Sequence, residues 1–212
     1  MGCSAHLITM DQSSDRIRIA ILNGSARPGN YTGMAVAIVA DELRKDPRVE
    51  IEIINLGELN LQLPGTDPAS PAAKDLQHRI AQSAAVILAT PEYHGSFSSL
   101  MKLAIENLGF PSALRGKPVA LLGVAAGVIG AIKSLEHLRG VVSHIGGMVL
   151  PLPISVPNIQ KVFDPEGHVL DPDAEKLIRR VATNLMDYLE RHVCPAITLE
   201  RLMREGAAAA AR

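Results

Sequence analysis

The sequence predicts a doubly wound α/β domain, with a five-stranded parallel sheet and helices on both faces. Three observations lead there. Apolar runs of strand length alternate with segments of helical period along most of the chain. One of those runs, Ala85-Val86-Ile87-Leu88-Ala89-Thr90, has no polar alternation, the pattern of a strand covered on both faces. Turns rich in Gly, Pro, Asn and Ser separate the runs, so right-handed βαβ crossovers are the simplest way to connect them. A chain of 212 residues, 47% hydrophobic and 20% charged, suits one globular domain rather than a disordered one. With no Trp and only 3% aromatic residues, aliphatic side chains must fill its core.

Residues 1–15 read as a polar leader without the basic and apolar regions of a secretion signal. Residues 16–22 form the first strand, which ends in the turn Asn23-Gly24-Ser25. Val36, Val39, Ala40 and Leu43 give residues 31–45 a helical stripe, and residues 49–56 form the second strand. Residues 57–71 read as a long surface loop, followed by a helix over 72–83 and the third strand over 85–90. After the loop 91–96 comes an amphipathic helix whose apolar set is Phe97, Leu100, Met101, Ala104, Ile105 and Leu108. Residues 118–124 are a fourth, buried strand, and Ala131, Leu135, Leu138 and Val142 mark the next helix. The fifth strand, over 148–154, contains Pro151 and Pro153, which puts it at a sheet edge. Asp171-Pro172 is a capping pair that opens a last helix running to about residue 191. The folded domain thus spans 16–192, and residues 193–212 form a tail that ends in low complexity.

Several function classes fall away at this level. A formal charge of −1 gives no reason to expect nucleic acid or an anionic membrane as a partner. No apolar run approaches the roughly 20 residues of a membrane-spanning helix. The two cysteines, Cys3 and Cys194, make no C-x-x-C pair, so zinc ribbons, iron–sulfur clusters and thioredoxin chemistry are not expected. That usage fits a reducing, cytoplasmic compartment. His78, His137, His144, His168 and His192 are scattered and read as surface residues, so no metal site is expected. There is no G-x-S-x-G elbow, and neither G-x-x-x-x-G-K-[ST] nor G-x-G-x-x-G occurs.

Doubly wound sheets bind ligands beyond the carboxyl ends of their strands, so three loops matter. The first, residues 24–32, offers small residues, the hydroxyls of Ser25 and Thr32, Asn30, Tyr31 and Arg27 at a helix start, which together make a phosphate cradle. The bland alternative is an ordinary βα loop with an Asn or Thr cap. The second, Pro91-Glu92-Tyr93-His94-Gly95-Ser96, could lay backbone N–H groups against the polar edge of a flat heteroaromatic ring, or Gly95 could simply turn while Ser96 caps a helix. The third, residues 125–130, brings two glycines, Gly127 and Gly130, where a backbone could pass close to a ring.

Together these loops resemble the NADPH-dependent FMN reductase family, in its branch of quinone, chromate and azo-dye reductases. The likeness rests on Gly24, Ser25, Arg27 and Gly29, on Pro91 to Ser96 followed by Met101-Lys102-Leu103-Ala104-Ile105-Glu106, and on Gly127 and Gly130. It implies a flavodoxin-like sheet of order 2-1-3-4-5, bound FMN, and NAD(P)H as donor to a small acceptor in ping-pong order. It also implies a homodimer or homotetramer. The flavin would carry the chemistry, with Ser25, Arg27, Asn30, Tyr31 and Thr32 around its phosphate. Pro91, Glu92, Tyr93, His94, Gly95, Ser96 and Gly127 would lie at its ring. The chain departs from the family at Asn30, Thr32, His94, Ser98, Asn107 and Ala131. His94 stands where the family carries asparagine, and a titrating imidazole there would make the flavin potential depend on pH. The helix after Ser96 has no inserted residue, unlike the sulfonate-type branch. Two other readings remain: an electron carrier on this fold, which should be shorter and more acidic, and an FMN-free scaffold.

Overall fold

The computed structural model describes residues 16–67, 70–195 and 203. The expected leader and the low-complexity end of the tail lie outside the described residues. Strands β1 (Ile17–Asn23), β2 (Val49–Asn55), β3 (Ala85–Tyr93) and β5 (Pro118–Val124) form the body of a parallel sheet. Every residue of β5 is buried, as its unbroken apolar sequence requires.

Among the described residues there are seven strands rather than the expected five, in the order β2-β1-β3-β5-β6 (β6, Met148–Val149), with two further strands off that path. Residues 91–96 are not wholly a loop. β3 runs on to Tyr93 and turns back as the two-residue β4 (Ser96–Phe97), pairing Glu92 with Phe97 and Tyr93 with Ser96. The expected fifth strand is split into β6 (Met148–Val149) and β7 (Ile154–Val156), which both pair with β5. Pro151 and Pro153 have no N–H to give a ladder, and Leu152 between them takes a left-handed φ of 61°. The ladder therefore lapses and resumes.

Helices α1 (Tyr31–Leu43) and α5 (Pro172–Tyr188) cover one face, burying Val36, Val39, Ile178, Val181 and Leu185. α2 (Pro71–Gln82), α3 (Ser99–Glu106) and α4 (Ile132–His144) cover the other, through Leu76, Ile80, Met101, Leu135 and Leu138. As expected, Asp171 caps α5, accepting hydrogen bonds from the N–H groups of Asp173 and Ala174. Among the described residues, no helix is long and apolar enough to cross a membrane.

One buried cation sits at the amino-terminal end of the sheet, away from the three loops. Lys117, 6% exposed, donates to the carbonyls of Ala81 (3.0 Å) and Ser83 (2.6 Å), closing the carboxyl end of α2. Burial pushes its ammonium down to about 8.

Candidate functional site

The first loop is built by close approach. Gly24 donates to the carbonyl of Ala89 (2.8 Å), and a Cβ on Gly24 would lie 2.9 Å from that oxygen. No other residue fits there. Asn23, 4% exposed, accepts from the Ser25 N–H through Oδ1 and donates to Asn55, so it shapes the turn from inside. Gly57 passes so near that a Cβ would lie 2.9 Å from the Cα of Ala26.

Asn30 is the cap of α1: its Oδ1 accepts from the Gly33 N–H (2.6 Å) and its Nδ2 donates to the Arg27 carbonyl (2.7 Å). Its side chain is thus committed to the loop's own shape. The N–H groups of Ala26, Arg27, Tyr31 and Thr32 find no acceptor among the described residues. Ser25 and Thr32 are 6% and 2% exposed, yet neither hydroxyl has a partner there and neither is sealed from solvent. The first turn of α1 carries no acidic residue, so its positive end is not neutralised. A cluster of unused N–H donors, two unused hydroxyls and one arginine is what a phosphate dianion requires. The residues fit the phosphate of FMN.

Arg27 links the first loop to the second, its guanidinium lying 5.0 Å from the centroid of the Tyr93 ring. Tyr31 turns elsewhere: its ring stacks on Phe163 with centroids 6.4 Å apart, which leaves its N–H at the helix start as its offer to the cradle. The hairpin tip, His94-Gly95, has φ values of 51° and 74°, a turn with two left-handed residues. The N–H groups of both have no acceptor among the described residues, so they stand free for the polar edge of a ring.

Glu92 is not free. Its carboxylate accepts from the Ser134 N–H (3.1 Å) and so caps α4, whose own first residues offer no capping side chain. Ser96 meets His137 of α4, Oγ to Nδ1 at 3.2 Å. Pro91, the residue before Glu92 in β3, is buried and pairs with Val124 of β5. Gly127 is exposed, and its carbonyl accepts from the N–H groups of Gly130 (3.1 Å) and Asn158 (3.2 Å). The third loop is therefore pinned to the segment after β7.

Sequence reasoning missed the residue that clamps the first two loops. Ser98, 3% exposed, donates to the Gly24 carbonyl (2.6 Å) and accepts from the Met101 N–H as the cap of α3. Its own N–H donates to Thr90 Oγ1. The available signal was a serine two residues before Leu100, where a hydroxyl can cap the helix that follows. Ser155 was missed too. It accepts from the Ala131 N–H (2.8 Å) across 24 residues, a separation that no local pattern reveals.

The family described as NADPH-dependent FMN reductase matches residues 17–161 of the chain. An NAD(P)H-dependent FMN reductase of Pseudomonas aeruginosa is 28% identical over 183 residues, covering 84% of this chain and 98% of its own. An FMN-dependent NADPH-azoreductase of Staphylococcus aureus is 32% identical over 166 residues, covering 75% and 87%. Among solved structures, an NAD(P)H:(acceptor) oxidoreductase flavoenzyme of Paracoccus denitrificans superposes with a TM-score of 0.70. It is 25% identical, and the match covers 83% of this chain and 98% of that one.

Proposed function

Because the chain belongs to the NADPH-dependent FMN reductase family and is an NAD(P)H-dependent FMN oxidoreductase, we propose that its three loops form one FMN site serving donor and acceptor in turn. The observation that carries this reading is the set of unused donors in the first loop. They stand at the carboxyl end of β1, beside a hairpin whose tip also keeps free N–H groups.

Ser25, Thr32, Arg27 and the N–H groups of Ala26, Arg27, Tyr31 and Thr32 would hold the phosphate. Asn30 shapes this loop from within rather than touching the ligand. The N–H groups of His94 and Gly95 would meet the polar edge of the ring, with Tyr93 and Gly127 beside it. FMN held there would supply the redox centre between donor and acceptor. The chain's contribution is positional. Ser98 locks the cradle to α3, Glu92 ties the hairpin to α4, and Asn158 ties down the third loop, so that the site is set before ligands arrive. No side chain is needed as a general acid or base.

A homodimer or homotetramer in the cytoplasm completes the proposal. In its support, Phe110 is fully exposed and Leu63 is 67% exposed, and Asn107 Nδ2, donating to the Gln62 carbonyl, draws their two segments together. Lys102 and Glu106 pair on the same helix α3.

Anaerobic titration with NADPH and then NADH, followed by flavin absorbance, tests the reading. Stoichiometric bleaching, with colour restored on adding an acceptor, is expected. A bound flavin that neither nucleotide reduces would leave only an electron carrier.

A further inference from the structure

Val128 and Ile129 are the least explained side chains near the site. They are the corner residues of a tight turn closed by the Gly130 N–H on the Gly127 carbonyl. Turn corners favour Gly, Pro, Asn, Asp and Ser, yet here two β-branched aliphatics stand 79% and 74% exposed. Ile132, 50% exposed, extends the same surface onto α4.

The turn is rigid. Gly130 has a φ of 76°, and a Cβ on it would lie 2.4 Å from Ser155 Oγ. Asn158 and Gln160 donate to the carbonyls of Gly127 and Ala126, and Ser155 holds the Ala131 N–H. Ordered backbone thus holds two apolar side chains out of the core, which folding alone does not reward.

The surface is continuous with the hairpin. Lys133, the residue after Ile132, lies against Gly95, 3.5 Å from where its Cβ would be, and Ser134 bonds Glu92. It is too small for a stable subunit interface, which uses roughly 20–30 residues a side. The side chains of Val128, Ile129 and Ile132 offer no donor to an oxyanion, and Lys133 beyond them lies against Gly95.

We propose that Val128 and Ile129 form an aliphatic lip that selects flat, uncharged, apolar electron acceptors by contact with their rings. The proposal rests on the FMN site described above and names the acceptor class that site takes.

The test compares wild type with the double variant Val128→Ser/Ile129→Ser. It uses menadione as an apolar acceptor and ferricyanide as a charged one, and it measures flavin reduction by NADPH separately under anaerobic conditions. The expected result is a fall of about 10-fold or more in kcat/KM for menadione, with ferricyanide turnover and flavin reduction unchanged. The conservative pair Val128→Ile/Ile129→Val should keep menadione activity, which separates apolar contact from turn geometry. An equal loss with both acceptors, a slower reaction with NADPH, a change in oligomeric mass, or no change with menadione would each overturn the lip. Failure of the FMN reading itself would appear earlier, as wild-type protein that NADPH does not bleach.

Discussion

Arg27 is the only charged side chain in residues 24–32, so the charge recognition proposed for the first loop would fall to it. Removing one charge-assisted contact costs about 1.5–3 kcal/mol, roughly 10- to 150-fold in affinity. Arg27→Ala should raise the FMN dissociation constant by that factor in reconstitution of the apoprotein, with the chemistry of bound flavin little changed. His94 shows how a residue can be legible in identity and illegible in role. Its φ of 51° is one that Asn, Asp and His tolerate better than most residues, which gives the position a conformational reason for its side chain. His94→Asn should therefore fold and bind FMN like wild type, while His94→Val should lose about 1–2 kcal/mol in denaturant unfolding. The asparagine variant preserves the turn, so it isolates the imidazole. Spectroelectrochemistry at one pH should give flavin midpoint potentials that differ between the two proteins. Equal potentials would leave His94 a turn residue.

Elements with long-range consequences were the least visible ones. Ser98 appears in the sequence only as a departure from a family proline, while in the fold it joins Gly24, Thr90 and Met101. Ser98→Ala should cost about 1–2 kcal/mol of stability through the lost cap and should also weaken FMN binding, as the cradle loosens. β5 was readable because burial on both faces leaves an unbroken apolar run. The break between β6 and β7 was only half readable. Pro151 and Pro153 announced an edge, but the resumption of pairing at Ile154 depends on β5 as partner. The hairpin tip was hidden because His94-Gly95 is not a common turn pair. Lys117 shows a different limit: its burial follows from how α2 ends against β5, which no local pattern records. Its pH dependence has a definite sign. With the folded group held near 8 and the ordinary value at 10.5, the unfolded chain binds more protons between those values, so stability rises with pH across that window. The neutral amine keeps two N–H groups for its two carbonyls, so deprotonation does not break the contact. Denaturant unfolding of wild type against Lys117→Met should show the difference moving in favour of wild type between about pH 8 and 10.5.

At the scale of the whole molecule, the sequence exposed the sheet, the helices and the three loops, because each rests on local periodicity or a short motif. It did not expose how the loops are joined. Those joints are individual contacts between residues far apart in the chain: hydrogen bonds from Ser98 to Gly24, from Ser134 to Glu92 and from Ala131 to Ser155, and the Arg27 guanidinium over the Tyr93 ring. They draw the three loops together, as the proposed site with its phosphate end and ring end requires. Ligands that differ only in the phosphate test that division. Calorimetric titration of the apoprotein with FMN and with riboflavin should give much tighter binding for FMN, and Arg27→Ala should narrow the gap by weakening FMN alone. Equal affinities for the two ligands in the wild-type protein would contradict the assignment of the first loop as a phosphate cradle.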